Sequence, residues 1–107
     1  MRKEQEVKPE GKASKSLGLS VQTLTADIAK QLGYQDEQGV VITSLILGGP
    51  AEESGLKTGD LIKEINKVAI QDVKDFNNAV KGLKSGDSVA MLIRRGDSTF
   101  YTGIQIP

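Results

Sequence analysis

Four consecutive residues, Ser16-Leu17-Gly18-Leu19, hold most of the chemical promise in this 107-residue chain. A glycine between two leucines lets the backbone turn so that successive amide N–H groups point the same way, and such a nest can hold an anion such as a carboxylate. Ser20 to Leu24 continue as a strand. If its edge is open, an extended peptide can hydrogen-bond along it while the peptide's terminal carboxylate sits in the nest. Taken alone, the tetrapeptide reads more readily as a plain strand entry than as a binding loop, so its surroundings must decide.

The other chemistries are poorly served. The chain has no histidine and no cysteine, which removes Ser-His-Asp and Cys-His catalysis, His-ligated zinc, and any disulfide staple from which a redox compartment could be read. Gly49 to Lys57 lacks the G-x-x-x-x-G-K-[ST] spacing of a nucleotide loop, and Glu52 and Glu53 would repel phosphate. Ser88 and Ser98 each follow Gly-Asp, with no spacing that fixes a Ser-Lys dyad or a carboxylate pair. Arg95-Gly96-Asp97 spells a cell-adhesion tripeptide, but a Gly-Asp pair between two strands is what a tight turn requires. No catalytic residue, metal or cofactor is therefore expected. Fourteen Lys and Arg balance fourteen Asp and Glu, so no net field collects nucleic acid or anionic membrane. No apolar run approaches the length of a membrane span, and Arg2-Lys3-Glu4-Gln5-Glu6 follows Met1 without an apolar signal core, so membrane insertion is not expected.

The elements that would position the loop can be read along the chain. The first sixteen residues hold five basic and three acidic side chains and only Met1, Val7 and Ala13 as apolar groups. That is too little to offset about 1 to 2 kcal/mol of backbone entropy per ordered residue. Residues 1–16 are thus expected to be a flexible charged linker or tail and 17–107 the folded domain. Leu17, Leu19 and Val21 alternate with Gly18, Ser20 and Gln22 in a short strand. Thr25 caps a helix over 26–32 that Gly33 stops. Val40 to Leu47 reads as a buried strand, and Pro50 opens a short helix before Gly55. Leu61 to Ile65 and Val68 to Ile70 are strands joined tightly at Asn66-Lys67. Asp72 caps the longest helix, in which Val73, Phe76, Ala79, Val80 and Leu83 recur at helical spacing. Val89 to Ile93 and Phe100 to Ile106 close the chain as an antiparallel hairpin. This is an α+β pattern: a small, partly open antiparallel β-barrel or sandwich with one long and one or two short helices.

In this setting Leu17-Gly18-Leu19 resembles the carboxylate-binding loop of PDZ domains. Gly39-Val-Val-Ile-Thr-Ser-Leu resembles the family's central strand, and Gly49-Pro-Ala-Glu-Glu-Ser-Gly-Leu-Lys-Thr-Gly-Asp-Leu-Ile its short helix and Gly-Asp turn. Ile65-Asn66 and the helix from Val73 to Leu83 complete a likeness that runs from Leu17 to Ile106. The strand order, binding strand first and Thr99 to Ile106 last, is the permuted one of HtrA/Do-type (DegP-like) serine protease PDZ domains. The stretch Leu19 to Gly33 and the ending Ile93-Arg-Arg-Gly-Asp are most similar to the second, C-terminal PDZ domain of such proteases.

The resemblance implies a site. The amides of Leu17, Gly18 and Leu19 would bind a peptide carboxylate; Ser20, Val21 and Gln22 would pair with the peptide backbone. Val73, Asn77 and Val80 would form the opposite wall, with Phe76 at the pocket floor, and Lys15 would add a cation near the carboxylate. Many PDZ domains carry at the first helix position a histidine that reads a peptide Ser or Thr; Val73 stands there and cannot donate. Apolar residues are therefore expected at the peptide's last position and two before it. The implied role is a non-catalytic module of a periplasmic or cell-envelope protease engaged in protein quality control, with the catalytic triad on another domain. Its partners would be C-terminal or unfolded polypeptide segments and the protease and PDZ domains of a homo-oligomeric parent. The alternative is a structural interaction domain that helps assemble or regulate the protease, with the groove unused.

Overall fold

A computed structural model describes residues 11–14, 17–34 and 38–107. The strands are β1 (Gly11–Ser14), β2 (Leu19–Thr23), β3 (Val40–Leu45), β4 (Leu61–Ile65), β5 (Val68–Ala69), β6 (Ser88–Arg95) and β7 (Ser98–Gln105). The helices are α1 (Ala26–Leu32), α2 (Pro50–Glu53) and α3 (Val73–Val80). Neighbouring strands pair antiparallel in the order β1-β2-β3-β4-β6-β7, and β5 pairs with β4. The sheet curls without closing, giving the α+β, partly open architecture expected from the sequence.

One face of this sheet wraps a core in which Leu17, Leu19, Val21, Ile42, Ile62, Phe76, Met91 and Ile93 are all buried. Alternation along β6 sends Val89, Met91 and Ile93 inward, while Ala90 is exposed. The caps read from the sequence act where expected. Thr25 accepts a hydrogen bond from the Ile28 amide at 3.2 Å, and Gly33 ends α1 at φ 80°. Asp72 accepts from the Asp75 amide at 2.9 Å at the start of α3. Asn66 (φ 50°) and Lys67 (φ 71°) form the two-residue link between β4 and β5, the double positive-φ geometry of a type I′ turn.

Several elements depart from the sequence reading, each for a physical reason. The apolar run after Val40 leaves the sheet at Leu45, because its partner β2 begins at Leu19, directly opposite. Ile46 and Leu47 are consequently exposed, at 53% and 88%. Helix α3 ends at Val80; the next residues tighten into a turn in which the Leu83 amide donates to the Val80 carbonyl at 3.1 Å, and Leu83 still packs on the core. Helix α1 buries none of its residues and depends on its caps. Gly11–Ser14, within the stretch read as a tail, is strand β1.

Candidate functional site

The loop that leads into β2 is fixed from one side. The Leu17 carbonyl accepts from the Ala51 amide and the Gly18 carbonyl from the Ile46 amide, both at 2.9 Å. Ile46 belongs to the β3–α2 connection and Ala51 to the first turn of α2. A trans peptide unit points its C=O and the following N–H in opposite directions, and no peptide bond here is cis. The Gly18 amide is therefore turned away from α2 and the Leu19 amide away from Ile46, toward the outer side of β2. Gly18 makes this possible twice over. Its φ is +76°, and a Cβ there would lie 3.1 Å from Pro50 Cδ and 3.4 Å from Gly49 Cα. A side chain would meet backbone strain and crowding together.

Strand β2 carries Ser20 and Gln22 half-buried on one face and Leu19 and Val21 in the core on the other. Helix α3 lies against both β1 and β2. The Val73 amide donates to Thr23 Oγ1 at 3.0 Å, which fastens the start of α3 to the far end of β2. Val73 and Val80 pack partly buried against the core and Asn77 is half-buried, whereas Phe76 is wholly inside the core. The structure thus sets α3, with Val73, Asn77 and Val80, alongside the strand Ser20–Gln22 into which the Leu17–Leu19 loop leads. Lys15 lies outside the described residues.

The feature absent from the sequence reading is the occupant of this edge. Strand β1 pairs with β2 in the register Ser14↔Leu19, Ala13↔Ser20, Lys12↔Val21 and Gly11↔Gln22. Its sequence, Gly-Lys-Ala-Ser, has no apolar alternation to betray a strand; the only signal is its closeness in sequence to the loop.

A second polar constellation lies at the other end of the sheet. Asp60 is 1% exposed, yet its carboxylate is fully engaged: Oδ1 accepts from Arg95 Nε at 2.8 Å, and Oδ2 from Arg95 Nη2 at 2.7 Å and the Lys57 amide at 2.9 Å. Arg95 Nη2 also donates to the Gly55 carbonyl at 2.9 Å, and the guanidinium lies 5.0 Å from the Phe100 ring centroid. The Asp60 hydrogen bond holds the Arg95 guanidinium above its already high ordinary pKa, keeping it charged. Beside it, the Tyr34 hydroxyl donates toward the carbonyls of Gly59 (3.1 Å) and Arg94 (2.9 Å), and burial pushes its pKa up. This constellation clamps the α2–β4 loop to the β6–β7 hairpin and offers no reactive group. Among the described residues no cluster of three or more acidic or sulfur ligands could hold a metal, and no helix is long and apolar enough to cross a membrane.

A sequence profile of the PDZ domain matches residues 15–105. The chain belongs to the PDZ domain family. Curated relatives of this PDZ domain include a probable periplasmic serine endoprotease, DegP-like, of Pseudomonas savastanoi pv. phaseolicola, 40% identical over 92 residues, or 85% of this chain. The corresponding protein of Brucella suis is 34% identical over 79 residues, or 74% of this chain. The chain spans only 19% and 15% of the length of these relatives, so the greater part of each protease lies outside the matched segment. Among solved structures, the HtrA-type protease AlgW with decapeptide superposes with a TM-score of 0.74 at 26% identity, covering 91% of this chain and 29% of that one. The HtrA3 PDZ domain bound to the phage-derived ligand FGRWV gives 0.73 at 18% identity, covering 91% and 88%, a likeness of fold.

Proposed function

We propose that this PDZ domain is a peptide-recognition module of a DegP-like periplasmic serine endoprotease, taking C-terminal or extended segments of unfolded polypeptide by strand addition along β2. The observation that carries this reading is the pair of outward-turned amides at Gly18 and Leu19, set at the end of a strand whose outer edge accepts an antiparallel partner. A peptide running toward Leu19 would end with its carboxylate at those amides, and Val73 and Val80 would flank its side chains. Peptide ligands on AlgW and the HtrA3 PDZ domain support the same reading. The protease and companion PDZ domains of a homo-oligomeric parent in the cell envelope would supply catalysis and further partners. A four-residue contact of roughly 30 heavy atoms, at about 0.3 kcal/mol each, has a ceiling near −9 kcal/mol, so micromolar, exchangeable binding is expected.

The pairing of β1 with the same edge favours a second reading, a structural interaction domain whose groove stays covered. A titration separates the two. The chain has no tryptophan, so the indole of an FGRWV peptide reports binding without background, and NMR shifts locate it. Shifts over Leu17–Gln22 and Val73–Val80, abolished when the peptide is amidated, are the expected result. No shift with any apolar-ended peptide, alongside docking to a protease domain, would select the structural role. Within the series FGVWV, FGSWV and FGTWV, the valine peptide is expected to bind tightest by roughly three- to tenfold, since Val73 offers no hydrogen bond to a hydroxyl. A serine or threonine winner would overturn that specificity.

A further inference from the structure

We infer that Gly11–Ser14 is a built-in occupant of the peptide edge, which an incoming C-terminus must displace; this rests on the peptide-binding reading above. A strand has two edges. One edge of β2 is taken by β3, in the register Leu19↔Leu45 to Thr23↔Val40, and the other by β1. A peptide that adds to β2 needs the edge β1 holds, and α3 lies against β1 as well as β2, leaving no second lane. Binding of peptide and pairing of β1 are therefore mutually exclusive.

The direction matches as well as the place. Strand β1 runs antiparallel to β2 and ends with Ser14 opposite Leu19, beside the outward amides. A C-terminal ligand would run the same way and put its last residue there. The difference lies at that end, where β1 continues by a peptide bond into residue 15 whereas a ligand carries a carboxylate. Strand β1 supplies the backbone ladder without the anion, so a true C-terminus gains charge-assisted hydrogen bonds that β1 cannot make. In return β1 has proximity: residues 15 and 16 alone separate it from Leu17, which sets an effective concentration in the millimolar range or above. The apparent dissociation constant of any peptide is then the intrinsic one divided by the fraction of domains in which β1 is unpaired. Gly-Lys-Ala-Ser contains one apolar residue and brings little hydrophobic hold, so the occupant is displaceable.

The test uses the full chain in three forms, each titrated with FGRWV and followed by the peptide's tryptophan. Lys12→Pro/Ala13→Pro removes a ladder donor whichever of the two adjacent amides faces β2. It is expected to tighten binding by about tenfold. Ala13→Cys/Ser20→Cys introduces the only cysteines, at paired positions whose Cα separation suits a disulfide. Oxidised, this variant should bind at least tenfold more weakly than the same variant reduced. Equal affinity of the parent and the proline variant, or unimpaired binding by the oxidised variant, would overturn the inference while leaving peptide recognition standing. Absence of binding in every form, the proline variant included, would overturn peptide recognition and the inference with it.

Discussion

The β1–β2 end of the sheet and the β6–β7 end both rest on backbone ladders, and only the second adds a clamp of side chains. At the first, the partners are backbone groups: a four-strand-residue ladder to β1 and two carbonyls tied to Ala51 and Ile46 around a glycine at φ +76°. At the second, side chains reinforce the backbone ladder of β6 and β7, with a buried carboxylate gripped by a guanidinium and a main-chain amide, and a tyrosine hydroxyl between two carbonyls. Backbone ladders are indifferent to sequence and can be exchanged for another strand of any composition. A clamp of named side chains admits no substitute. An exchangeable edge and a fixed frame can thus share one small sheet, with the core between them.

This contrast predicts that damage at the clamp reads out as stability and damage at the edge as affinity. The largest stability effect is expected from Arg95→Ala, which leaves the nearly inaccessible Asp60 carboxylate with the Lys57 amide as its remaining partner among those described above. The cost should be about 3 kcal/mol, or a Tm lower by roughly 10 °C or more. Asp60→Asn, which removes the buried charge instead of stranding it, should cost less; thermal unfolding of the two variants checks the order. The folded fraction of each should bind FGRWV as the parent does, and a parallel loss of affinity would join the two regions that the comparison separates.

Gly18→Val should behave in reverse. A β-branched residue at φ +76° costs about 1 to 3 kcal/mol, and its relief would swing the amides of Gly18 and Leu19 off the ligand side. Peptide affinity should fall at least tenfold, while Tm falls less than in Arg95→Ala. Unchanged affinity measured by tryptophan fluorescence would remove the loop from the site.

The smallest effect concerns Tyr34 and pH. Its pKa is raised by burial, so the neutral phenol is the form the fold prefers. The corresponding stability is present in full below the unfolded value of about 10 and is lost as pH rises through the folded value. Denaturant unfolding at pH 8 and pH 11 should show a steeper alkaline loss in the parent than in Tyr34→Phe, which forgoes about 1 kcal/mol of hydrogen bonding at neutral pH. An identical alkaline decline in both would place the titrating group elsewhere.

Much of the frame was legible because it is written locally. Thr25 and Gly33 bracket α1, Asp72 starts α3, and the two hairpins follow from Asn66-Lys67 and Gly96-Asp97. The turn at Gly18 was legible through its surroundings rather than through its own four residues. What escaped depends on distance or on a partner. Asp60 and Arg95 lie 35 residues apart and meet only through the register of β4 with β6. Ile46 and Leu47 look like strand core by composition and are exposed because the opposing strand has already ended. The position of β1 is dictated by an edge that needs pairing, and nothing in Gly-Lys-Ala-Ser announces it.

That same strand bears on how the domain behaves in a crowd of its own copies. Without β1 the margin of the sheet would be Leu19–Thr23, a stretch rich in β-forming residues and open to another chain. With it, the margin is four residues long, carries a lysine and a glycine, and offers a poor template for edge-to-edge association.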